Sequence, residues 1–168
     1  RGLGDVYKRQ SLVKTVLDCL ALHQVPPEML ILEVTETTAM SNPDESVRVL
    51  TELTDAGVKA SIDDFGTGYS SLLYLKRLPA CELKIDRAFV KELSGESEDA
   101  TIVSAIVALA KTLNLKVVAE GVETEAQQAF LTELGCNTLQ GYLLGKPVSA
   151  QTIEALCARG EMLPGAEQ

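Results

Sequence analysis

The residues of this sequence best suited to chemistry are two adjacent acids, Asp63 and Asp64, which follow an apolar run and precede a turn with glycines at Gly66 and Gly68. Adjacent carboxylates at the end of a strand repel each other, so a fold that keeps them there needs compensating positive charge. A divalent cation can supply it, because carboxylate oxygens are the hard ligands that suit Mg²⁺, Ca²⁺ and Mn²⁺. The pair predicts the floor of a metal site.

Further charged or amide side chains follow the other apolar runs that predict strands. They are Glu33 and Glu36, Lys84 and Asp86, Glu120 and Glu123, and Gln140. Charged groups are almost never fully buried unless they are paired or metal-bound. Each residue alone is compatible with a turn, a helix cap or an ion pair, such as one between Glu33 and Lys84, but their joint pattern favours one shared site.

The elements that position these residues alternate along the chain. Apolar spacing, caps and breakers predict helices at residues 11–22, 42–56, 71–76, 98–113, 124–134 and after 149, and strands at residues 29–34, 58–62, 82–85, 115–119 and 138–139. The predicted helix caps are Asn42 in a capping box with Glu45, Thr124 with Gln127, and Ser149. Such alternation predicts an α/β fold with parallel strands. An open doubly wound sheet and part of a TIM barrel both remain possible, since a complete barrel takes about 250 residues.

Composition limits the class of protein. The 168 residues, 46% of them hydrophobic, suit one domain, and the net charge of −9 argues against a protein that coats a nucleic acid polymer. A phosphate substrate would need metal ions to offset this charge. The four cysteines are scattered without a CxxC spacing, which indicates thiols in a reducing compartment and predicts a cytoplasmic location.

The two ends of the chain are expected to differ from the part between them. Residues 1–10 have no helical or strand period, and residues 5–10 resemble the translation of a transposon end used to prepare sequencing libraries. We therefore predict a non-native tail at residues 1–10, a folded domain at residues 11–160 and a second tail at residues 161–168. On this interpretation the natural protein begins upstream of residue 11.

Several motifs in one order resemble those of the EAL-domain family of cyclic-di-GMP phosphodiesterases. The matching segments are Leu32–Glu36, Asp63–Leu72, Leu78–Pro79, Leu83–Asp86, Val118–Thr124 and Gln140–Tyr142. The resemblance extends from about residue 11 to residue 156. It implies a TIM-like (β/α) barrel, of which this chain would hold about five C-terminal strands and helices.

The resemblance also implies an activity, the hydrolysis of cyclic di-GMP to linear pGpG with two Mg²⁺ or Mn²⁺ ions. It implies that Glu33 and Asp63 hold the first metal, with Asp63 bridging to the second, and that Asp64 and Glu120 hold the second. Lys84 would act with Glu120 in catalysis, by orienting the attacking water or stabilising charge at the phosphate.

Other matching residues would have supporting roles. Gln140 would hydrogen-bond water or ligand near the metals. Glu36 and Glu123 would brace the loop after Asp64. Asp86 would support the metal ligands without binding the metals itself. By the same resemblance, the full-length parent would be a homodimer with sensory or GGDEF domains upstream, its membrane anchoring left open.

Two ligands expected from the family have no counterpart in this sequence: the Glu of the signature Glu-Ala-Leu on the first barrel strand and an Asn on the third. The triplet Glu154–Leu156 lies in the predicted last helix instead. We therefore expect the full-length parent to be active and this chain, as a C-terminal fragment, to be inactive. The alternatives are a non-catalytic cyclic-di-GMP receptor or interaction module, and an unrelated metal-dependent barrel lyase or aldolase, which fits the acids but not the motifs.

Overall fold

The computed structural model of this protein describes residues 3–66, 72–93 and 97–160, with side chains from residue 12 onward. The helices of this part are α1 (Leu3–Leu22), α2 (Glu36–Ser41), α3 (Pro43–Asp55), α4 (Leu72–Leu75), α5 (Arg87–Lys91), α6 (Glu98–Thr112), α7 (Glu125–Leu134) and α8 (Ala150–Arg159). The strands are β1 (Ile31–Thr35), β2 (Lys59–Phe65), β3 (Glu82–Ile85), β4 (Lys116–Glu120) and β5 (Thr138–Gln140). Strands and helices alternate as predicted, and the chain divides into two compact units between Leu83 and Lys84.

The first unit is built on the parallel pair of β1 and β2, with Ile31 opposite Lys59 and Thr35 opposite Asp63. A core on this pair is formed by buried apolar residues of α1 and α3 and by the residue directly before β2, namely Leu20, Val49, Leu53 and Val58. Helix α3 starts at Pro43, whose missing N–H is not needed at a first helical position. This packing fixes the position of β2, whose last residues include Asp63 and Asp64.

The second unit contains the parallel pair of β4 and β5, with Glu120 opposite Gln140. Consecutive residues Val117, Val118 and Ala119 of β4 are buried, as expected for a parallel strand covered on both faces. Helix α6 packs against β4 through its buried face. The residues of this face are spaced as one side of a helix requires: Ala100, Val103, Ile106, Val107 and Ala110. The carboxyl ends of β4 and β5 therefore lie side by side.

The structure corrects several details of the prediction. Helix α1 begins at Leu3, so the absence of a helical period in residues 1–10 was a wrong guide there. The predicted capping box of Asn42 and Glu45 does not form: Asn42 makes no side-chain capping bond to α3, and the Glu45 carboxylate accepts from Arg48. Helices α2 and α5 were not predicted. Residues 67–71 of the glycine motif lie outside the described part of the chain.

The remaining boundaries agree to within about three residues, and β3 agrees at both ends. Thr124 and Gln127 form the predicted capping box of α7, which ends at the left-handed Gly135. Ser149 caps α8 as predicted. In the part of the chain that the structure describes, we find no helix with the length and apolar character of a membrane span.

Candidate functional site

Asp63 and Asp64 lie in the last three residues of β2. Neighbouring residues of a strand ordinarily point to opposite faces. Asp64 departs from this rule because its φ is 53°, a left-handed conformation that aspartate tolerates better than most residues. As a result, a carboxylate oxygen of Asp63 and one of Asp64 lie within 4.8 Å of each other, close enough to share a cation.

Glu33 belongs to the same face of the first unit as Asp63. It pairs in register with Ser61, two residues before Asp63. The alternation of strand side chains therefore places Glu33, Ser61 and Asp63 on one side of the β1–β2 pair. The Glu33 side chain is exposed, whereas Asp63 and Asp64 are half-buried. The first unit thus presents three predicted metal ligands at or near the ends of adjacent strands.

Glu36 is buried to 1% exposure at the start of α2. Its Oε2 accepts a hydrogen bond of 2.8 Å from the backbone N–H of Gly66, immediately after β2. A buried carboxylate that accepts from a backbone N–H forms a charge-assisted bond, stronger than a neutral one. This contact ties α2 to the turn that follows Asp63 and Asp64.

In the second unit, Lys84 of β3 and Glu120 of β4 form an ion pair of 2.7 Å between Nζ and Oε1. The two side chains are only 6% and 19% exposed. Such a pair is screened by water much less than a surface pair. It holds the lysine ammonium at the carboxyl end of β4.

The other predicted site residues of the second unit have mixed positions. Gln140, opposite Glu120 in the β4–β5 register, is exposed at the end of its strand. Glu123 has an exposed side chain, and its backbone N–H donates to Gln127. Asp86 caps α5 by accepting a bond of 2.7 Å from the Ala88 N–H. Asp86 and Glu123 thus contribute local backbone order.

Sequence reasoning placed Gln127 only in the capping box and missed its second bond. Its side chain is 6% exposed and its Nε2 donates to the Val90 carbonyl at 3.0 Å. The capping-box pattern signals the position of the side-chain oxygen. It carries no information on the acceptor of the amide N–H, because that acceptor lies 37 residues away in sequence.

The donor set suits hard divalent cations. Every predicted metal ligand offers carboxylate oxygens, and none is a histidine or a cysteine. Oxygen-only sets favour Mg²⁺, Ca²⁺ or Mn²⁺ over Zn²⁺ and copper. The close approach of the Asp63 and Asp64 carboxylates is the feature of this structure that fits such an ion.

Known proteins are similar to this chain over most of its length. The family model of the EAL domain matches residues 4–147. The chain is similar to the bifunctional diguanylate cyclase/cyclic di-GMP phosphodiesterase MucR of Pseudomonas aeruginosa, with 62% identity over 152 residues that cover 90% of this chain and 22% of MucR. It thus spans about a fifth of the length of MucR, and 38% of the length of RocR, another relative from the same organism.

Two solved structures extend the likeness to three dimensions. The MucR phosphodiesterase in complex with c-di-GMP matches with a TM-score of 0.82 and 65% identity, over 84% of this chain and 57% of that chain. A manganese and c-di-GMP complex of Klebsiella pneumoniae BlrP1 matches with a TM-score of 0.74 and 36% identity, over 80% of this chain and 34% of that chain.

These likenesses confirm the predicted fold class. The chain has the α/β fold of EAL domains, of the TIM-like barrel type, and corresponds to a part of each solved chain. The match to the family model extends over most of its 168 residues. The chain belongs to the EAL domain family.

Proposed function

We propose that the protein from which this chain comes hydrolyses cyclic di-GMP to linear pGpG. The observation that carries the proposal is the approach of the Asp63 and Asp64 carboxylates to within 4.8 Å at the end of β2, in a chain of the EAL family. A relative with 62% identity bears the name of a cyclic di-GMP phosphodiesterase. One of the solved relatives holds manganese together with the dinucleotide.

The proposed ligands of two Mg²⁺ or Mn²⁺ ions are Glu33, Asp63, Asp64 and Glu120. Asp63 would be shared by the two ions, and Glu33 would hold the first together with it. Asp64, whose φ is left-handed, would hold the second together with Glu120. Such ions would activate a water and neutralise charge on the attacked phosphate.

Lys84 is the proposed catalytic partner of Glu120. Its ammonium, held at 2.7 Å from the Glu120 carboxylate, favours an anionic oxygen beside it by direct charge attraction. Low exposure strengthens this attraction, because the effective dielectric constant is lower there than in water. Lys84 therefore orients the attacking water or stabilises charge at the phosphate.

The remaining residues have the supporting roles that the family resemblance implies. Glu36 holds the turn after Asp64 through its bond to the Gly66 N–H. Gln140, at the strand end next to Glu120, offers an exposed amide for hydrogen bonds to water or ligand. Glu123 and Asp86 order the backbone after β4 and β3.

This chain alone is proposed to be inactive, since 43% of the solved MucR phosphodiesterase chain lies outside the match (57% is covered). The family's first-strand Glu and third-strand Asn, both metal ligands, have no counterpart here. The parent is proposed to have further domains upstream, in line with the bifunctional name of MucR and the 22% of its length that is matched. That the parent is a homodimer is proposed on the family resemblance alone.

The test is a turnover assay with cyclic di-GMP and Mn²⁺, in which products are separated by chromatography. It compares this chain with the complete domain, obtained by restoring the residues that precede it in its gene. We expect pGpG from the complete domain, loss of turnover in Asp63→Asn, and normal turnover in Asp55→Asn, an exposed acid of α3.

Each other outcome decides a part of the proposal. Formation of pGpG by this chain alone overturns its proposed inactivity. A complete domain that binds cyclic di-GMP without hydrolysing it overturns the enzymatic function and favours the non-catalytic receptor.

A further inference from the structure

We infer that Gln127 is a positioning residue for the Lys84–Glu120 pair. Gln127 lies in α7 and is not among the residues that the family resemblance places in the site. Its side-chain amide joins the segment that follows Glu120 to the helix that follows Lys84. The inference deepens the proposed function and rests on it for the role of the ion pair.

The oxygen of the amide orders the segment after Glu120. Gln127 Oε1 accepts from the Glu123 N–H at 2.8 Å and from the Thr124 N–H at 3.0 Å. Thr124 Oγ1 in turn accepts from the Gln127 N–H at 3.2 Å. These bonds fix the backbone three and four residues beyond Glu120.

The nitrogen of the amide reaches the other segment. Gln127 Nε2 donates to the Val90 carbonyl at 3.0 Å and lies 3.4 Å from that of Lys91, both at the end of α5. Helix α5 begins at Arg87, three residues after Lys84, so it continues directly from the strand that carries the lysine. One buried side chain therefore links both strand ends.

A second contact joins the same two segments near their other ends. Gly121, directly after Glu120, has a φ of +74°, and a Cβ built on it would lie 2.6 Å from the Cβ of Arg87. The backbone after Glu120 therefore passes too close to the start of α5 for any side chain to fit. With Gln127 at the far end of α5, the helix is held at two points.

The two contacts limit the freedom of the ion pair. The strand ends that carry Lys84 and Glu120 could separate only if α5 moved away from the segment Gly121–Thr124, and such movement breaks the bonds of Gln127. Loss of these bonds leaves the buried Gln127 amide without partners, which is costly. Gln127 thus holds the Glu120 carboxylate beside Lys84, in the place where it would bind the metal.

The test compares Gln127→Met, which keeps the length of the side chain and removes its hydrogen bonds, with Ser149→Ala as a matched loss of a helix cap in α8. The first readout is the Mn²⁺ dissociation constant of the full chain by electron paramagnetic resonance. The second is hydrogen exchange of the Val122 N–H, which binds the Gln140 carbonyl and makes no bond to Gln127. Urea denaturation gives the stability of each variant.

We expect Gln127→Met to weaken Mn²⁺ binding about 10-fold or more, as loss of the groups that orient metal ligands usually does. Val122 exchange should also become faster than the change in global stability explains. Ser149→Ala should change neither readout beyond its effect on stability. Mn²⁺ affinity within twofold of the original, together with unchanged Val122 exchange, overturns the inference.

Two further outcomes are separable. Absence of Mn²⁺ binding by the unsubstituted chain counts against the proposed metal ligands of this chain, and the exchange of Val122 then decides the positioning role alone. If Gln127→Met does not fold, Thr124→Val replaces it. That variant removes the hydrogen bond that Thr124 Oγ1 accepts from the Gln127 N–H. It should show weaker Mn²⁺ binding and faster Val122 exchange, both smaller in size than in Gln127→Met. Changes in both readouts equal to those of Ser149→Ala overturn the inference.

Discussion

The Nζ of Lys84 lies 2.7 Å from the Oε1 of Glu120, with the two side chains 6% and 19% exposed. An ion pair this poorly hydrated is weak evidence for stability, since replacing both partners by apolar groups is often neutral. Removing one partner is different, because the other charge stays in a place with little water. The ion pair is therefore better explained by a role of Lys84 and Glu120 at the ends of β3 and β4 than by a contribution to overall stability.

Replacement of Lys84 by methionine should lower the free energy of unfolding by about 2–4 kcal/mol, because the Glu120 carboxylate loses its ammonium partner in a poorly hydrated place. Urea denaturation measures the change. Lys14→Met is the matched control, since its pair with Asp18 is 75% and 64% exposed and should contribute little. Equal effects of the two substitutions would contradict the account of the pair.

Replacement of Glu36 by glutamine should loosen the turn after β2. The neutral amide oxygen can still accept from the Gly66 N–H, but the bond loses its charge assistance and about 1 kcal/mol. Hydrogen exchange of the Gly66 amide should therefore become faster, as measured by NMR. Glu28→Gln, at an exposed position, should leave the exchange rate of the Gly66 amide unchanged. An unchanged exchange rate of this amide in Glu36→Gln would contradict the proposed role of the Glu36–Gly66 hydrogen bond.

Replacement of Gly141 by alanine should destabilise the second unit strongly. A Cβ there would lie 2.1 Å from the Val122 carbonyl oxygen, so the backbone must move, and overpacking of this kind costs about 1–3 kcal/mol or more. Gly160→Ala is the control: its φ of +66° costs about 1–2 kcal/mol, but nothing lies within 4 Å of the new methyl group. Thermal unfolding should rank Gly141→Ala below Gly160→Ala, and the reverse order would refute the packing.

The cysteines should differ in reactivity. Burial raises the pKa of Cys136 to about 11, although the nearby Lys111 acts in the opposite direction. Because the thiolate is the nucleophile, a raised pKa leaves Cys136 protonated at pH 8 and its alkylation slow until the pH approaches 11. Mass spectrometry after brief alkylation at pH 8 should find Cys19 and Cys157, both exposed, modified before Cys136. Equal rates would contradict the burial of Cys136.

Sequence patterns predicted the long elements well. The capping box of Thr124 and Gln127 and the boundaries of β3 rest on local chemistry that the sequence displays directly. Helices α2 and α5 have six and five residues, too few to show a helical period. Only their caps could have signalled them, since Thr35 and Asp86 accept from the N–H groups of Thr38 and Ala88.

The residue types of the candidate site are visible in the sequence, and its geometry only in part. Adjacent acids after an apolar run predict a metal site at Asp63 and Asp64, and this role stays a prediction. Their approach to within 4.8 Å depends on the left-handed φ of Asp64, which no period or spacing encodes. The pairing of Lys84 with Glu120, where Glu33 had been considered as its partner, depends on tertiary contacts between elements far apart in sequence.

The most direct test of the central claim is thermal unfolding of this chain with increasing Mn²⁺. An ion that binds the folded state stabilises it by about 2.7 kcal/mol at 100 times its dissociation constant. We predict a saturable rise in Tm with Mn²⁺ that is lost in Asp63→Asn and kept in Asp55→Asn. A Tm that does not respond to Mn²⁺, or that responds equally in the Asp63→Asn variant, would contradict a metal site at the end of β2.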